Sequence, residues 1–360
     1  MAKKRIVVMY GGKADEHSIS CISAASALRA LDTDKFEAIP VGITKDGKWI
    51  VNGENPLGWS LDEGLPTVEK TPGAKDVVLE VALGQDGFFA REDDGTLTPF
   101  GHVDAVFPVL HGENGEDGSM QGLLQIAGIP YVGPHVAASA ACMDKTITKL
   151  IADHAGVRQA AWRLVTAAEF ARNADAVMDG VEGQFAYPVF VKPAGTGSSV
   201  GVSKARDREG LEHALTAALK YDCKVLVEEF IDGQEVEVAV LGNDNPFASV
   251  CGEIDAGADF YDYEAKYISD CADLYIPARI SEEASEQVRE TAVRVYQAMG
   301  CRGLSRVDFF VTREGQEVVF NEINTIPGFT SISMYPKLFE ASGIPYGELL
   351  DDLLALALDG

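Results

Sequence analysis

Residues 304–324 read LSRVDFFVTREGQEVVFNEIN, two apolar segments that are joined by a polar turn. In a strand, residues i and i+2 project from the same face, so the spacing predicts a polar pair on each segment. Arg306 and Asp308 form the first pair, and Glu322 and Asn324 form the second. If the turn folds the segments into a hairpin, both pairs share one surface. The residues expected on the opposite surface are Val307, Phe309, Val319 and Ile323.

The polar surface of this hairpin has two interpretations. Two carboxylates, an amide oxygen and a guanidinium that converge at a strand end suit Mg²⁺ holding a phosphate, because this cation takes oxygen ligands from carboxylates and phosphates. The alternative is a ladder of ion pairs on the solvent face of an amphipathic hairpin, which is common in antiparallel sheets. The hairpin alone does not distinguish between a metal site and a charged surface.

The overall composition narrows the class of protein. A chain of 360 residues is long enough for two or three structural units, and its 46% hydrophobic content supports a well-filled core. Its formal net charge of −26 argues against nucleic-acid binding, which needs clustered lysine and arginine. An anionic substrate would therefore have to be held by cations that are concentrated at one place.

Cysteine usage and hydropathy predict a globular protein of the cytoplasm. The six cysteines are widely scattered and include no CxxC pair, which is typical of free thiols in a reducing compartment. The first residues, MAKKRIVVMYGG, run into a predicted strand without the apolar segment of a signal peptide. No apolar run approaches the roughly 18–20 residues of a membrane span, so no membrane association is expected.

The first third of the chain repeats an apolar strand, a glycine-rich turn and a helix. KRIVVM (4–9) precedes a Gly-Gly turn and a helical pattern over residues 17–31, and DAVFPVL (104–110) precedes HGENGEDG (111–118) and a second helix. This order predicts an α/β fold with a parallel sheet wrapped by helices, in which ligands lie beyond the carboxyl ends of the strands. Taken alone, each glycine turn is better explained by a tight connection that needs a positive φ.

A second glycine-rich loop follows the predicted strand VFVKP. It reads GTGSSVG over residues 195–201 and precedes another predicted strand. Its spacing matches neither the dinucleotide motif GxGxxG nor the Walker A motif. Backbone N–H groups beside glycine and the hydroxyls of Ser and Thr can bind oxyanions, so the loop fits a flap over phosphates. A purely structural hairpin is the alternative.

Charged residues flank this loop. Lys192 closes the strand before it, and Lys145 lies in an earlier helix. Lysines are usually solvated, but in so acidic a chain a lysine beside a Gly/Ser loop is a reasonable phosphate ligand. The next strand, VLVEEFI, ends near Glu228 and Glu229, and Glu235 follows. These carboxylates could accept ribose hydroxyls or could simply face solvent.

Several motifs together resemble a known family. In chain order they are HGENGEDGSMQG (111–122), MDK (143–145), VKPAGTGSSVGVSK (191–204), YDYEAKY (261–267), LSRVDFF (304–310) and NEINTIPGFTSISMYP (321–336). They are similar to motifs of the D-alanine–D-alanine ligases of the ATP-grasp superfamily, and the likeness runs from Ile6 to Pro336. The N-terminal GGKADEHSIS also resembles the family's opening motif. It departs near Lys13 or Ala14, where the family usually has Ser or Thr, but Glu16 is in place.

The resemblance implies an α/β protein with a three-domain ATP-grasp architecture. Its parts would be an N-terminal α/β substrate-binding domain (1–134), a central lid domain (135–231) and a C-terminal strand-rich domain with the metal site (232–360). In the implied reaction, ATP phosphorylates the carboxylate of a first D-alanine. The amine of a second D-alanine then attacks the acyl phosphate, which gives D-alanyl-D-alanine, ADP and phosphate for peptidoglycan precursor synthesis. The family also implies a homodimer.

The resemblance also implies the nucleotide and metal ligands. The phosphate ligands would be Lys145, Lys192, Ser198 and Ser199. The residues around the base and ribose would be Glu228, Glu229, Phe230, Ile231, Glu235 and Phe260, the last by stacking on the base. Two Mg²⁺ ions, which Mn²⁺ could replace, would be bound by Asp308, Glu322 and Asn324.

Two further groups of residues are implied around the reacting atoms. Arg306 and the backbone N–H of Gly328 would stabilise the tetrahedral oxyanion of amide formation. His111 would lie near the first D-alanine, and Glu16 would bind the ammonium group of that substrate.

The remaining implied residues close the site and bind the second substrate. Glu16, Ser198 and Tyr267 would form a hydrogen-bonded set that closes the site. Ser333 and Lys266 would bind the carboxylate of the second D-alanine. The intact YDYEAKY motif around Tyr267 favours an amine as the second nucleophile.

Three rival functions compete with this interpretation. One is an ATP-grasp ligase with another acceptor, such as D-lactate or D-serine. Another is a nucleotide-binding regulator that has lost its chemistry, which would have eroded the polar hairpin residues Arg306, Asp308, Glu322 and Asn324, all of which are present. The third, an NAD-dependent oxidoreductase, is disfavoured because GGKADEH lacks the GxGxxG spacing.

Overall fold

The computed structural model of the protein describes residues 2–60, 64–255, 257, 273–330 and 332–359. Within these residues the chain forms three β-sheets that are covered by helices. No helix in the described ranges combines the length and the apolar character that a membrane crossing requires.

The first sheet contains β1 (Lys4–Gly11), β2 (Phe36–Ile43), β3 (Trp49–Val51), β4 (Lys75–Leu79), β5 (Phe88–Arg91), β6 (Leu97–Pro99) and β7 (Ala105–Pro108). Its spatial order is β6-β5-β4-β3-β2-β1-β7, with β1 parallel to both β2 and β7 and the other pairs antiparallel. Helix α1 (His17–Ala30) follows β1, and helix α2 (Ser119–Ala127) follows β7. The predicted units of strand, turn and helix are therefore confirmed, and the antiparallel strands β3–β6 extend the sheet.

Two helices connect the first sheet to the second. They are α3 (Val136–Met143) and α4 (Lys145–His154). Asp144 caps α4, because its side chain accepts hydrogen bonds from the backbone N–H groups of Thr146 and Ile147. This cap starts α4 directly at Lys145.

The second sheet is antiparallel and has helices of its own. It contains β8 (Trp162–Thr166), β9 (Val189–Pro193), β10 (Ser203–Ala205) and β11 (Lys224–Glu229), in the order β10-β9-β11-β8. The same unit carries α5 (Ala167–Arg172), α6 (Ala174–Glu182) and α7 (Arg208–Ala218). Val177, Val191 and Leu215 belong to the buried cluster between this sheet and its helices. This core is distinct from those of the other sheets.

The third sheet is also antiparallel. It contains β12 (Gly233–Leu241), β13 (Phe247–Asp255), β14 (Asp273–Tyr275), β15 (Leu304–Thr312) and β16 (Val318–Asn324), in the order β14-β13-β12-β15-β16. Its helices are α8 (Glu282–Ala298), α9 (Met334–Ala341) and α10 (Tyr346–Leu358).

The two faces of the third sheet have different partners. On β12, Val236 packs in a cluster with α8. Ala239 and Leu241, on the opposite face, pack with α9, α10 and the first sheet in one shared core. Glu235 and Glu237 lie farther along that face and line a cleft. The face therefore changes from apolar to acidic where it leaves the shared core.

The hairpin predicted over residues 304–324 is confirmed. Strands β15 and β16 are antiparallel neighbours, with Arg306 opposite Asn324 and Asp308 opposite Glu322. Directly opposed residues project from the same face of a sheet. Both polar pairs thus share one surface.

A β-bulge changes the alternation in the rest of β16. After the polar pairs, Phe309 is opposite Phe320 and Phe310 is opposite Val319, which leaves Asn321 as the extra residue. The prediction that Val319 faces the apolar side is therefore wrong, because one inserted residue exchanges the two faces. Phe320 takes that place in the core, with its ring centroid 5.9 Å from that of Phe309.

Candidate active site

A cleft of about 920 Å³ lies between the second and third sheets. The predicted nucleotide and metal residues that line it are Lys145, Lys192, Ser198, Ser199, Glu228, Glu229, Phe230, Ile231, Glu235, Asp308 and Glu322. Asn324 lines a small adjoining pocket of about 40 Å³, together with Lys145, Lys192 and Glu322. The fold thus assembles these residues from widely separated parts of the sequence.

The glycine-rich loop adjoins the start of α4. Lys145 Nζ donates a hydrogen bond to the backbone carbonyl of Thr196 at 2.5 Å. Ser198 and Ser199 have φ values of 47° and 58°, a region that residues other than glycine rarely adopt and that is enriched at ligand sites. Both serines line the cleft, where their hydroxyls and backbone N–H groups can bind an anion.

Glu228 lies between two lysines in the wall of the cleft. Its Oε2 is 2.7 Å from Lys192 Nζ, and its Oε1 is 2.9 Å from Lys149 Nζ. Lys192 Nζ also donates to Asn321 Oδ1 at 3.1 Å. Burial alone would raise the pKa of Glu228, but the two ammonium groups outweigh it and lower the pKa to about 2. Glu228 is therefore ionised at neutral pH.

The predicted oxyanion ligand and a predicted metal ligand are paired directly. Arg306 Nε and Nη2 each donate to one oxygen of Asp308 at 2.7 Å. Arg306 Nε also lies 3.0 Å from Glu237 Oε2, and Asn324 Nδ2 donates to Asp308 Oδ2 at 2.9 Å. Burial alone would lower the pKa of Arg306, but Asp308 and Glu237 hold it above its ordinary value.

The oxygen donors of this wall fit a hard divalent cation. Asp308 and Glu322 oppose each other across β15 and β16, and Asn324 adds an amide oxygen on the same face. Among the described residues, no three side chains of His, Cys, Asp or Glu converge into a complete metal cage. A cation bound here would therefore complete its coordination with water or substrate phosphates, as Mg²⁺ usually does.

Glu16 lies between the HGENGEDG turn and the glycine-rich loop. A side-chain carbon on Gly112 would stand 2.6 Å from Glu16 Oε2, and one on Gly197 would stand 3.1 Å from Oε1. Gly112 also has a positive φ of 70°, so both its backbone and its surroundings favour glycine. The fold thus brings the buried Glu16 next to the loop that carries Ser198.

Gly328 and Ser333 adjoin each other in the loop after β16. A side-chain carbon on Gly328 would lie 2.7 Å from Ser333 Oγ. Ser333 Oγ accepts a hydrogen bond from the Thr330 N–H at 3.1 Å. The Phe329 N–H donates to Ser23 Oγ of α1 at 3.2 Å, which ties the loop to the first sheet's helix.

His111 is buried and neutral at this junction. Its Nδ1 lies 3.0 Å from the Ile326 carbonyl, and its Nε2 lies 3.1 Å from Ser23 Oγ. Since a carbonyl only accepts, Nδ1 carries the hydrogen and Nε2 accepts from the hydroxyl. Burial lowers the pKa of His111 to about 4, and the Arg306 charge adds to this effect.

Glu116 of the same turn has the opposite shift. Desolvation raises the pKa of Glu116 to about 8, and the Glu16 charge adds to the increase. Its carboxyl accepts hydrogen bonds from the backbone N–H groups of Gly112 at 2.8 Å and Ile326 at 3.2 Å. Glu116 is therefore mostly protonated at neutral pH.

The neutral state of His111 predicts a stability loss in acid. A folded-state pKa of about 4 against an ordinary 6.5 means that the unfolded chain binds more protons between these values. Stability contributed by His111 is complete above pH 6.5 and is lost as the pH falls toward 4, by roughly 3 kcal/mol. Urea unfolding at several pH values should show a flatter acid limb for His111→Gln. His213→Gln, on the exposed side of α7, is the matched control, and an unchanged slope in His111→Gln would contradict the assignment.

Three predicted residues lie outside the described part of the chain: Phe260, Lys266 and Tyr267.

Site residues that the sequence did not predict are Glu116, Lys149, Glu237 and Asn321. Lys149 had a usable signal, since it lies one helical turn after Lys145. Glu237 also had a usable signal, which is its i, i+2 spacing from Glu235. No local signal marks Asn321, because the bulge that turns it toward the cleft depends on strand pairing.

Comparisons with known proteins point to one family from one end of the chain to the other. Family models described as the D-ala D-ala ligase N-terminus and C-terminus match residues 5–134 and 151–355. The chain is 61% identical to a D-alanine–D-alanine ligase of Bifidobacterium adolescentis, over 98% of this chain and 99% of that protein. It is 48% identical to one of Acetivibrio thermocellus, over 99% of this chain and 96% of that protein.

Solved structures give the same family. The D-alanine-D-alanine ligase of Coxiella burnetii superposes with a TM-score of 0.85 at 34% identity, over 100% of this chain and 95% of that one. The VanG D-Ala:D-Ser ligase of Enterococcus faecalis superposes with a TM-score of 0.85 at 38% identity, over 99% of this chain and 100% of that one. With both family models matched and close relatives spanning its full length, the chain belongs to the D-alanine–D-alanine ligase family and has its ATP-grasp fold.

Proposed function

We propose that this protein joins two molecules of D-alanine in an ATP-dependent reaction and so supplies the dipeptide for peptidoglycan precursors. The observation that carries the proposal is a single cleft in which Lys145 and Lys192 lie beside Asp308 and Glu322. Transfer of a phosphoryl group to a carboxylate depends mainly on positioning and on neutralising charge. Cations and metal-type oxygen donors in one cleft meet both needs.

The nucleotide occupies the cleft between the second and third sheets in this proposal. Its phosphates bind Lys145, Lys192 and the loop residues Ser198 and Ser199. Its base and ribose contact the segment Glu229, Phe230, Ile231 and Glu235, together with Phe260. Glu228 acts on the nucleotide through Lys192, whose ammonium group lies 2.7 Å from Glu228 Oε2.

Asp308, Glu322 and Asn324 hold two Mg²⁺ ions, which Mn²⁺ can replace. Bound there, the ions supply charge neutralisation for the transferring phosphate. The shared face of Asp308, Glu322 and Asn324 on the paired strands β15 and β16 supports this assignment.

The amino-acid substrates bind where Glu16 meets the HGENGEDG turn and the glycine-rich loop. Glu16 binds the ammonium of the first D-alanine, and neutral His111 lies beside that substrate. Arg306 and the Gly328 N–H stabilise the oxyanion that forms when the second amine attacks.

The second D-alanine binds through its carboxylate. Ser333 and Lys266 are its proposed ligands, and Glu16, Ser198 and Tyr267 close the site by hydrogen bonding. Glu16 lies next to the glycine-rich loop that carries Ser198, and this closeness supports the proposed hydrogen-bonded set.

Several broader assignments belong to the same proposal. Residues 1–134 bind substrate, residues 135–231 form the lid and residues 232–360 carry the metal site. The protein acts in the cytoplasm as a homodimer.

The proposal predicts ATP-dependent phosphate release that requires both D-alanine and Mg²⁺. The assay compares D-alanine, D-lactate and D-serine as acceptors and identifies the product by mass spectrometry. D-Serine is included because one similar solved structure is a D-Ala:D-Ser ligase. We expect D-alanyl-D-alanine as the main product. Turnover with D-lactate or D-serine but not with D-alanine would contradict the proposal.

A further inference from the structure

Lys149 is a buried charge that none of the roles above uses. It lies on α4, one turn after Lys145, and only 2% of its side chain is exposed. Its Nζ is 2.9 Å from Glu228 Oε1. The two groups form an ion pair, but their geometry is not that of an aligned hydrogen bond. Burying a lysine costs free energy that an apolar side chain of similar volume would avoid. The fold alone therefore does not account for this lysine.

The charge balance around Glu228 suggests a role for Lys149. Lys192 lines the nucleotide cleft, but it also forms a 2.7 Å ion pair with Glu228 Oε2. A buried one-to-one pair is neutral and would attract a phosphate weakly. With Lys149 on the other oxygen, the three groups carry a net charge of +1. The shared carboxylate then orients Lys192 without cancelling its field.

The orientation of Lys192 supports the same idea. An ammonium group has three hydrogen-bond donors. Glu228 Oε2 and Asn321 Oδ1 take two directions around Lys192 Nζ, at 2.7 and 3.1 Å. Asn321 reaches this position because it is the extra residue of the β16 bulge. Within the described ranges, no third partner takes a hydrogen bond from Lys192 Nζ, so its remaining donor can point at a phosphate in the cleft.

We propose that Lys149 is a positioning residue for nucleotide binding: by sharing Glu228, it keeps Lys192 oriented and electropositive toward the phosphates of the bound nucleotide. This inference rests on the proposed binding of ATP in the cleft. Lys149 itself contacts neither substrate nor reacting atoms.

The test measures ADP affinity by calorimetry with the full chain and without D-alanine. Lys149→Met makes the remaining Lys192–Glu228 pair neutral, and we expect its ADP dissociation constant to rise by about tenfold or more. The double variant Lys149→Met with Glu228→Gln restores a net charge of +1 on near-isosteric side chains. We expect it to regain most of the lost affinity, as should Lys149→Arg. Lys75→Met, which removes a distant lysine paired with Glu92, is the control for the substitution itself.

The outcomes separate this inference from the proposed function. A double variant that binds ADP as weakly as Lys149→Met would assign Lys149 a packing role and overturn the inference, as would a Lys149→Met protein with wild-type affinity. Wild-type protein that binds no ADP would instead overturn the proposed function, and this inference with it. Thermal unfolding of each variant is recorded in parallel. If Lys149→Met does not fold, the double variant and Lys149→Arg decide the question.

Discussion

Replacing Glu322 by Gln is expected to lower turnover by about 10³-fold while leaving the fold intact. The substitution keeps the shape of the side chain but removes a carboxylate from the proposed metal site on β16. Neutralisation of the transferring phosphate is needed mainly during the reaction, so the loss should fall on turnover. Phosphate release with saturating ATP and D-alanine measures this effect, and thermal unfolding checks the fold.

A matched substitution on the same hairpin makes this result interpretable. Glu317→Gln changes an exposed glutamate just before β16 and should leave turnover near the wild-type value. Raising the Mg²⁺ concentration should recover part of the activity of Glu322→Gln if Glu322 is a metal ligand. Near-normal turnover of Glu322→Gln at low Mg²⁺ would show that the metal assignment is wrong.

Replacing Arg306 by Met is expected to reduce both stability and activity. Arg306 is the cation between Asp308 and Glu237, which oppose each other across β12 and β15 and are both buried. Removing it leaves two buried carboxylates side by side, and breaking a buried ion pair in this way costs about 3–5 kcal/mol. Denaturant unfolding of the ligand-free protein measures the loss.

Two variants separate the structural and catalytic roles of this arginine. Arg306→Lys keeps the charge but not the two-pronged contact with Asp308, so stability should largely return while turnover remains about 10²-fold lower. Arg313→Met removes an exposed arginine at the end of the same hairpin, where its partner Asp232 is also exposed, and should not change stability measurably. Full activity of Arg306→Lys would contradict the role in oxyanion stabilisation.

The hairpin illustrates how far local pattern predicted the fold. The i, i+2 spacing placed Arg306 and Asp308 on one face, and the paired register confirms it. The same rule failed at Val319, because it assumes a regular strand. The bulge at Asn321 is a property of two paired strands, and its consequence, a side chain turned toward Lys192, cannot be derived from either strand alone.

Titration behaviour shows the same limit. His111 and Glu116 lie five residues apart in one glycine-rich turn, yet burial moves their pKa values in opposite directions, to about 4 and about 8. Removal from solvent causes both shifts, and it outweighs the hydrogen bonds with Ile326, more than 200 residues away, which act in the opposite direction on each group. The motif identified the turn as important, but it carried no information on the protonation state of either residue.

The amino-acid sequence by itself determined the order of strands, glycine turns and helices and the family motifs, because these depend on side-chain periodicity and on residues close in the chain. Only the tertiary structure decided that Lys149 and Lys192 share Glu228, that Asn321 points into the cleft and that His111 is neutral. These properties arise from burial and from partners that distant segments supply, and both exist only once the sheets have packed together.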